Sequence, residues 1–222
     1  MDIPNNWTFC DKSIAEGFDE HVQEQLPWYK LVTEAVSHIA RHYIPQSGVV
    51  YDIGASTGNM GRALHTCLLA RHATLYAIEP SSEMVEQYKR SGAMGHVYQC
   101  NAEEAPYDKH DLSICFLSVM FMHVTTRAAF LRRLFSLCND GGAMIIVDKV
   151  ETPSGYPGTV LRRLTMDWKI RNGASPADIL KKELSLAGYQ RPIDPLTVLP
   201  EGAQQFFQLG EFCGWVIEKR SK

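Results

Sequence analysis

The chain has 222 residues, of which 45% are hydrophobic and 21% are charged, and its formal net charge is -3. This length suits one well-buried domain and is short for two, so we expect a single domain over residues 1–222. No apolar run approaches the roughly 18 residues that a membrane span needs, and the opening sequence MDIPNNWTFC lacks a basic region followed by an apolar core. We therefore expect a cytoplasmic protein that is neither secreted nor inserted in a membrane.

The six cysteines include no C-x-x-C pair and fall mostly inside apolar segments, which predicts reduced core residues. Together with His110 and His123 they make no recognisable metal-ligand spacing, so no metal site is predicted. The cysteines are Cys10, Cys67, Cys100, Cys115, Cys138 and Cys213.

The first 45 residues precede the first predicted strand, and we expect them to form a helical cover. Apolar residues recur at helical spacing over residues 31–43, with Pro27 and Pro45 placed to begin and end that helix. An aromatic-rich strip precedes the helix and predicts either a lid over a ligand or ordinary core. The strip contains Trp7, Phe9, Ile14, Phe18 and Val22.

The segment VVYDIGASTGNMG, residues 49–61, joins an apolar strand to an amphipathic helix through a turn of small residues. Gly54 and Gly58 permit backbone conformations that a Cβ would penalise, and the amides that open the next helix are expected to face a ligand. The spacing D-x-G-x-x-x-G, which begins at Asp52, differs from the dinucleotide fingerprint G-x-G-x-x-G, and the Tyr-x-x-x-Lys of short-chain dehydrogenases is absent from the sequence. The turn resembles motif I of class I S-adenosylmethionine (SAM) methyltransferases. A plain helix-cap turn is the alternative.

Further apolar runs follow, separated by helical patterns. Residues 75–79 end in Glu79, which is placed to accept both ribose hydroxyls of SAM, with a solvated strand-end acid as the alternative. Residues 97–103 contain Asn101, and similar enzymes use Asp or Asn there to accept from the adenine amino group. Runs at 112–117 and 143–147 continue the alternation. We predict an α/β, Rossmann-like class I methyltransferase fold: a seven-stranded, mostly parallel sheet with helices on both faces and an N-terminal helical cover.

A narrower resemblance covers most of the chain. WTFCDKSIAEGFDEHVQEQLPWY, VYDIGASTG, LFSLCNDGGAMIIVDKVE, MDWKIRNGAS and FFQLGEFCGWVIEKR are similar to successive blocks of the carboxy-S-adenosylmethionine synthase family. The resemblance implies a dimeric protein of methyltransferase fold. It also implies conversion of SAM and prephenate into carboxy-SAM, the donor for carboxymethylation of a tRNA wobble uridine.

The positions that hold the donor in that family are kept in this chain. Tyr29, residues 54–56, Glu79 with Pro80, and Asn101 with Ala102 align with them. We therefore predict SAM as the cofactor, in a site made by Tyr29, Asp52, Gly54, Ala55, Ser56, Gly58, Glu79, Pro80, Met84, Asn101, Ala102 and Leu117.

The positions that engage the added carboxylate in that family are changed. Phe116 and Glu183 stand where an asparagine and an arginine are expected, and neither side chain suits a carboxylate. We therefore expect a SAM-dependent methyltransferase that prefers SAM to carboxy-SAM. Lys182, beside Glu183, is the one residue expected to reverse that preference if it reaches the pocket. A carboxy-SAM synthase and a non-catalytic SAM-binding protein are the alternatives.

Methyl transfer from a sulfonium depends mainly on positioning, with a base only where the acceptor must lose a proton. His123, after the fourth strand, is the candidate base, and a structural histidine is the alternative. Asp148, Lys149, Trp168 and Arg171 are candidates for the acceptor pocket, with core and surface roles as alternatives.

The sequence leaves open whether the acceptor is a small molecule or a nucleic acid. A basic group is expected either to form a patch or to be a solvated helix face. It comprises Arg162, Arg163, Lys169, Arg171, Lys181 and Lys182. An apolar group on the same segment predicts a contact face of a homodimer. It comprises Leu161, Leu164, Met166, Trp168 and Ile170.

Overall fold

A seven-stranded sheet forms the centre of the computed structural model, which describes residues 3–220. The strand order is β3-β2-β1-β4-β5-β7-β6, and β7 alone runs antiparallel to its neighbours. The predicted seven-stranded, mostly parallel sheet is confirmed. The strands are Val49–Ile53 (β1), Thr74–Ile78 (β2), His96–Tyr98 (β3), His110–Phe116 (β4), Cys138–Lys149 (β5), Gln204–Leu209 (β6) and Phe212–Glu218 (β7).

Helices cover both faces of the sheet, as predicted. Successive residues of β5 point to opposite faces, so Ile145 packs with one apolar cluster and Ile146 with another. The first cluster includes residues of α3, α4 and α5, and the second includes those of α7. The helices are Lys12–Glu16 (α1), Phe18–Gln25 (α2), Tyr29–Ala40 (α3), Asn59–Ala63 (α4), His65–Ala70 (α5), Ser82–Arg90 (α6), Arg127–Leu137 (α7), Tyr156–Arg171 (α8), Pro176–Ser185 (α9) and Pro195–Val198 (α10), with a short 3-10 helix at Val119–Phe121.

The N-terminal cover consists of α1, α2 and α3. Helix α3 begins two residues after Pro27 but ends at Ala40, so the prediction that it continues to Pro45 is wrong. The amides of His42 and Tyr43 bond to carbonyls three residues earlier, which tightens the final turn and directs the chain towards β1.

All six cysteines are free thiols. Cys115, Cys138 and Cys213 are buried as predicted, and Cys67 and Cys100 are half-buried. The prediction is wrong for Cys10, which is exposed because it lies in the loop before α1. Between residues 3 and 220, no helix combines the length and apolarity that a membrane crossing requires. In the same part of the chain, no three His, Cys, Asp or Glu side chains converge as a metal site would need.

Candidate functional site

A cavity of about 650 Å³ opens at the carboxyl ends of β1, β2, β4 and β5, beneath the N-terminal cover. Strand order reverses between the neighbouring strands β1 and β4, and a crevice forms at such a point because the following helices lie on opposite faces. The structure brings all but one of the predicted donor-site residues to this cavity. They are Tyr29, Asp52, Gly54, Ala55, Ser56, Glu79, Pro80, Met84, Asn101, Ala102 and Leu117.

Gly58 is the exception, because it is not one of the described residues that line the cavity. Its φ is +93°, and a Cβ there would lie 2.5 Å from the Cβ of Ala93, so glycine is required by the turn itself. Gly54 has φ +72°, and its Cβ would lie 2.6 Å from the Cβ of Ser118. Gly54 therefore allows the loop after β4 to approach the turn at the cavity wall.

Internal hydrogen bonds already engage the first amides of the glycine turn. The amides of Gly54 and Ala55 donate to the Ile78 carbonyl at 2.8 and 3.0 Å, and that of Ser56 donates to Glu79 Oε2 at 2.8 Å. A pyrophosphate needs a cradle of free amides. This part of the turn therefore suits a ligand that is held mainly by side chains.

Two buried carboxylates stand at the ends of adjacent strands. Asp52 is 2% exposed, and its Oδ2 has no hydrogen-bond partner within residues 3–220. Burial, and then the nearby charge of Glu79, raise the pKa of Asp52 to about 7. Asp52 is thus a buried acceptor that can bind a cationic or hydrogen-bonding group of a ligand.

Glu79 is also buried, and it fastens the glycine turn to the start of α6. Its Oε1 accepts from the Ser81 amide at 3.0 Å, while Oε2 accepts from Ser56. Burial raises the pKa of Glu79 although both amide bonds oppose that change. Each oxygen keeps a further lone pair, so the side chain can both hold the turn and accept from two hydroxyls.

Two non-glycine residues of the cavity wall adopt left-handed backbone conformations, Ser56 with φ +50° and Leu117 with φ +57°. Such strain is concentrated at functional sites, where surrounding contacts hold it in place.

Asn101 lies at the exposed end of the wall, and its Nδ2 donates to Glu104 at 3.2 Å. Its Oδ1 is therefore the atom left to accept from a ligand amino group.

The N-terminal cover is both core and cavity wall. Trp7 and Ile14 are buried against Met84 and Leu186, and Trp7, Phe9 and Phe18 line the cavity. Hydrogen bonds attach the cover to the rest of the fold, among them Asp19 with Arg62 at 2.7 Å, the Ser81 hydroxyl to the Phe9 carbonyl at 2.7 Å, and the Trp7 amide to the Ser185 carbonyl at 2.9 Å.

The residues predicted for the acceptor pocket lie in different parts of the structure. Lys149 lines the cavity, whereas Asp148 accepts from the amides of Val119 and Met120 at 2.8 and 3.3 Å and so holds the loop after β4. Trp168 and Arg171 lie at a separate small surface pocket and not, within the described chain, at the cavity. They face away because they lie on the side of α8 that packs near Trp28.

His123 lies at the rim of the cavity and is exposed. Its Nδ1 is 2.8 Å from Thr125 Oγ1. Phe116 stands at the end of β4 and packs edge to face on Tyr29, with ring centroids 5.3 Å apart.

Three lysines line the opposite part of the cavity. The sequence predicts Lys149 for the acceptor pocket and names Lys182 as important if it reaches the pocket, whereas it does not mark Lys169 as a site residue. Lys149, Lys169 and Lys182 are 8–9% exposed. The alternative of a solvated helix face is wrong for Lys169 and Lys182, because α8 and α9 turn these two side chains towards the cavity. A signal existed in α9: Ile179, Lys182 and Ser185 are spaced three apart and share its buried face.

Glu183 is the carboxylate among these lysines. Its Oε1 lies 3.3 Å from Lys169 Nζ, and its Oε2 lies 4.0 Å from Lys149 Nζ. Burial alone would raise its pKa, but Lys149 and Lys169 hold the pKa of Glu183 below its ordinary value. Glu183 thus lines the cavity as predicted, and Lys182 also reaches the cavity, which is the condition under which the preference for SAM was expected to reverse.

Residues 51–146 match the family model described as a methyltransferase domain. The chain is 27% identical over 197 residues to a carboxy-S-adenosyl-L-methionine synthase from Staphylococcus epidermidis, covering 86% of this chain and 84% of the relative. It is 24% identical to the synthase from Vibrio atlanticus, covering 95% and 87% of the two chains.

Solved structures share the fold. A putative SAM-dependent methyltransferase from Methanococcus maripaludis matches with a TM-score of 0.58 and 20% identity, over 100% of this chain and 98% of the other. The plantazolicin methyltransferase BpumL, solved in complex with S-adenosylhomocysteine (SAH), matches with a TM-score of 0.62 and 12% identity, over 94% and 90% of the two chains. At these identities the likeness shows the architecture alone.

Proposed function

We propose that this chain belongs to the class I SAM-dependent methyltransferase superfamily. On that premise, its cavity binds SAM between β1 and β4, and the protein transfers methyl to an acceptor. The carrying observation is the pair of buried carboxylates, Asp52 and Glu79, beside a turn whose first amides are internally engaged. These carboxylate acceptors fit the hydroxyls and ammonium of SAM better than they fit a pyrophosphate.

Each side chain then has a distinct task. Glu79 accepts from the ribose hydroxyls, Asn101 Oδ1 accepts from the adenine amino group, and Asp52 receives the ammonium of the methionine part. Met84 and Ala102 supply apolar walls for the adenine. Bound SAM supplies an activated methyl group on a sulfonium.

The remaining residues position the acceptor and exclude water. The closed cover keeps Phe9 and Phe18 over the cavity, and a water-excluding cover favours loss of the sulfonium charge during transfer. His123 at the rim is the candidate base for acceptors that must lose a proton.

Calorimetry with SAM, SAH and NAD tests the donor assignment. We expect SAM and SAH to bind and NAD not to bind. Binding of NAD without SAM would overturn the assignment. Mass spectrometry of the ligand that co-purifies with the protein separates SAM from carboxy-SAM, and methyl transfer to an acceptor separates an enzyme from a non-catalytic SAM-binding protein.

A second candidate function is that of a carboxy-SAM synthase. The curated relatives bear that name, and Lys149, Lys169 and Lys182 provide cations that Phe116 and Glu183 alone would not. Competition binding distinguishes the two: we expect SAM to bind more tightly than carboxy-SAM, and a preference for carboxy-SAM that Lys182→Ala removes would favour the synthase.

The remaining assignments concern organisation. We propose one domain over residues 1–222, a lid within residues 1–45, a cytoplasmic location and a homodimer formed through α8. Only Gly158 and Lys169 of α8 are buried, and Ile170 is exposed, which leaves an apolar face that a second copy would cover. Light scattering at micromolar concentration tests the dimer, and a monomer would refute it.

A further inference from the structure

We propose that Lys149, Lys169 and Lys182 form an oxyanion site that binds the carboxylate or phosphate group of a small acidic methyl acceptor. The inference rests on the proposed function and names the substrate class of the same cavity. Three lysine amino groups line one wall, and Glu183 is the carboxylate that contacts two of them. The wall therefore carries more positive than negative groups.

Lys182 is the central residue of this proposed site. It is 9% exposed and lines the cavity, yet none of the ion pairs within residues 3–220 includes it. Its Nζ lies over the ring of Trp7, on the N-terminal cover. Charging a buried lysine that has no anionic partner is costly, and an oxyanion entering the cavity would remove that cost.

The groups that face Lys182 come from different elements. His21 approaches from α2, Lys169 from α8 and Glu183 from α9 itself. Burial, and then Lys169, lower the pKa of Lys182 to about 6, while Glu183 opposes that change. Burial and Lys182 lower the pKa of His21 to about 4, so His21 adds no charge near neutral pH.

The position of the lysines places the oxyanion on the acceptor. They come from the end of β5 and from α8 and α9, whereas the carboxylates proposed for the donor stand at the ends of β1 and β2. Phe9, Phe121 and Tyr189 also line the cavity, with centroid distances of 5.0 Å for Phe9 to Phe121 and 5.5 Å for Phe121 to Tyr189. An acceptor with an apolar or aromatic body and one acidic group matches both surfaces.

Enclosure favours a small molecule over a nucleic acid. The phosphates of a nucleic acid are contacted by lysines on an open surface, whereas these three lysines are buried beneath the cover. The exposed cations of the same helices, Arg163 and Lys181, point away from the buried wall.

The test uses full-length protein saturated with SAH and titrated with malonate or sulfate in a calorimeter. We expect both anions to bind, and Lys182→Met and Lys169→Met to weaken them roughly tenfold or more, since each removes a charge-assisted bond. Lys181→Met, one residue away and exposed, is the matched control and should change neither anion affinity. SAH affinity should stay within twofold in all three variants, which also shows that they are folded.

Sulfate keeps its charge between pH 6 and 8, so a second readout is available. Because Lys182 has a lowered pKa, sulfate binding at pH 7.5 should be accompanied by proton uptake, measured in buffers of different ionisation enthalpy. Lys182→Met should abolish that uptake. Absence of proton uptake together with equal sulfate affinity in Lys182→Met and wild type would overturn the proposal.

Competition with the donor shows whether the oxyanion belongs to the acceptor or to the donor. Equal anion binding in Lys182→Met and wild type would refute the site. Displacement of SAH by the anions, or a Lys182-dependent preference for carboxy-SAM over SAM, would move the oxyanion to the donor and refute an acidic acceptor. Failure to bind SAH would refute the proposed function, while Lys182-dependent sulfate binding in that protein would still support the oxyanion site.

Discussion

Replacing Asp52 by Asn should stabilise the ligand-free protein and weaken the donor site. The pKa of Asp52 is raised from 3.8 to about 7 by burial and by Glu79. Below pH 3.8 the carboxyl is protonated in both states. Between pH 3.8 and 7 the unfolded chain releases the proton while the native state keeps it. The free energy of unfolding therefore falls as pH rises through this window, by up to about 4 kcal/mol.

Asn cannot ionise, so the stability advantage of Asp52→Asn should grow from pH 4 to 7 and reach up to about 4 kcal/mol at pH 8. Urea unfolding of both proteins at pH 4, 6 and 8 measures it, with the exposed Asp140→Asn as control. Calorimetry should show SAH binding at pH 8 weakened roughly tenfold or more, since a charged partner of its ammonium is lost. Equal stability of the two proteins at pH 8, or unchanged SAH affinity, would refute the role assigned to Asp52.

Glu79→Ala should weaken SAM binding by roughly 2 to 4 kcal/mol, because it removes the oxygens that accept from the ribose hydroxyls and that hold the glycine turn. Calorimetry measures the change, and Glu79→Gln should weaken SAM binding less. Wild-type SAM affinity in a folded Glu79→Ala variant would refute the ribose role. Asp19→Ala should increase SAH dissociation several-fold in stopped-flow measurements, because the partly exposed pair with Arg62 is worth at most about 1 kcal/mol. Glu20→Ala, an exposed neighbour, is the control, and equal dissociation rates in both variants would argue against the closed cover as a lid.

The donor side of the cavity could be predicted because local signals mark it. Asp52, Glu79 and Asn101 each follow an apolar run, and the carboxyl ends of parallel strands meet at one edge of the sheet. The internal engagement of the turn amides was not predictable, since it depends on the register of β1 against β2.

The acceptor side could not be predicted to the same extent. Lys169 and Lys182 reach the cavity only because α8 and α9 fold back against the cover, which is a tertiary arrangement without a strand end to mark it. A lysine at helical spacing is usually solvated, so the sequence alone favours the wrong face. Gly58 follows a different signal, since the backbone conformation of the turn and the proximity of Ala93 already require glycine there.

The bond between the Trp7 amide and the Ser185 carbonyl bears on the kinetic order of catalysis. It attaches the start of the chain to the helix that carries Lys182, while Ser81 and Arg62 attach the same cover to the donor side. One segment thus contacts both halves of the cavity, and we propose that it opens and closes as a unit. Entry of the two substrates and exit of the two products would then share a single gate, so turnover would be limited by opening of that gate and inhibited by an acceptor that holds it shut.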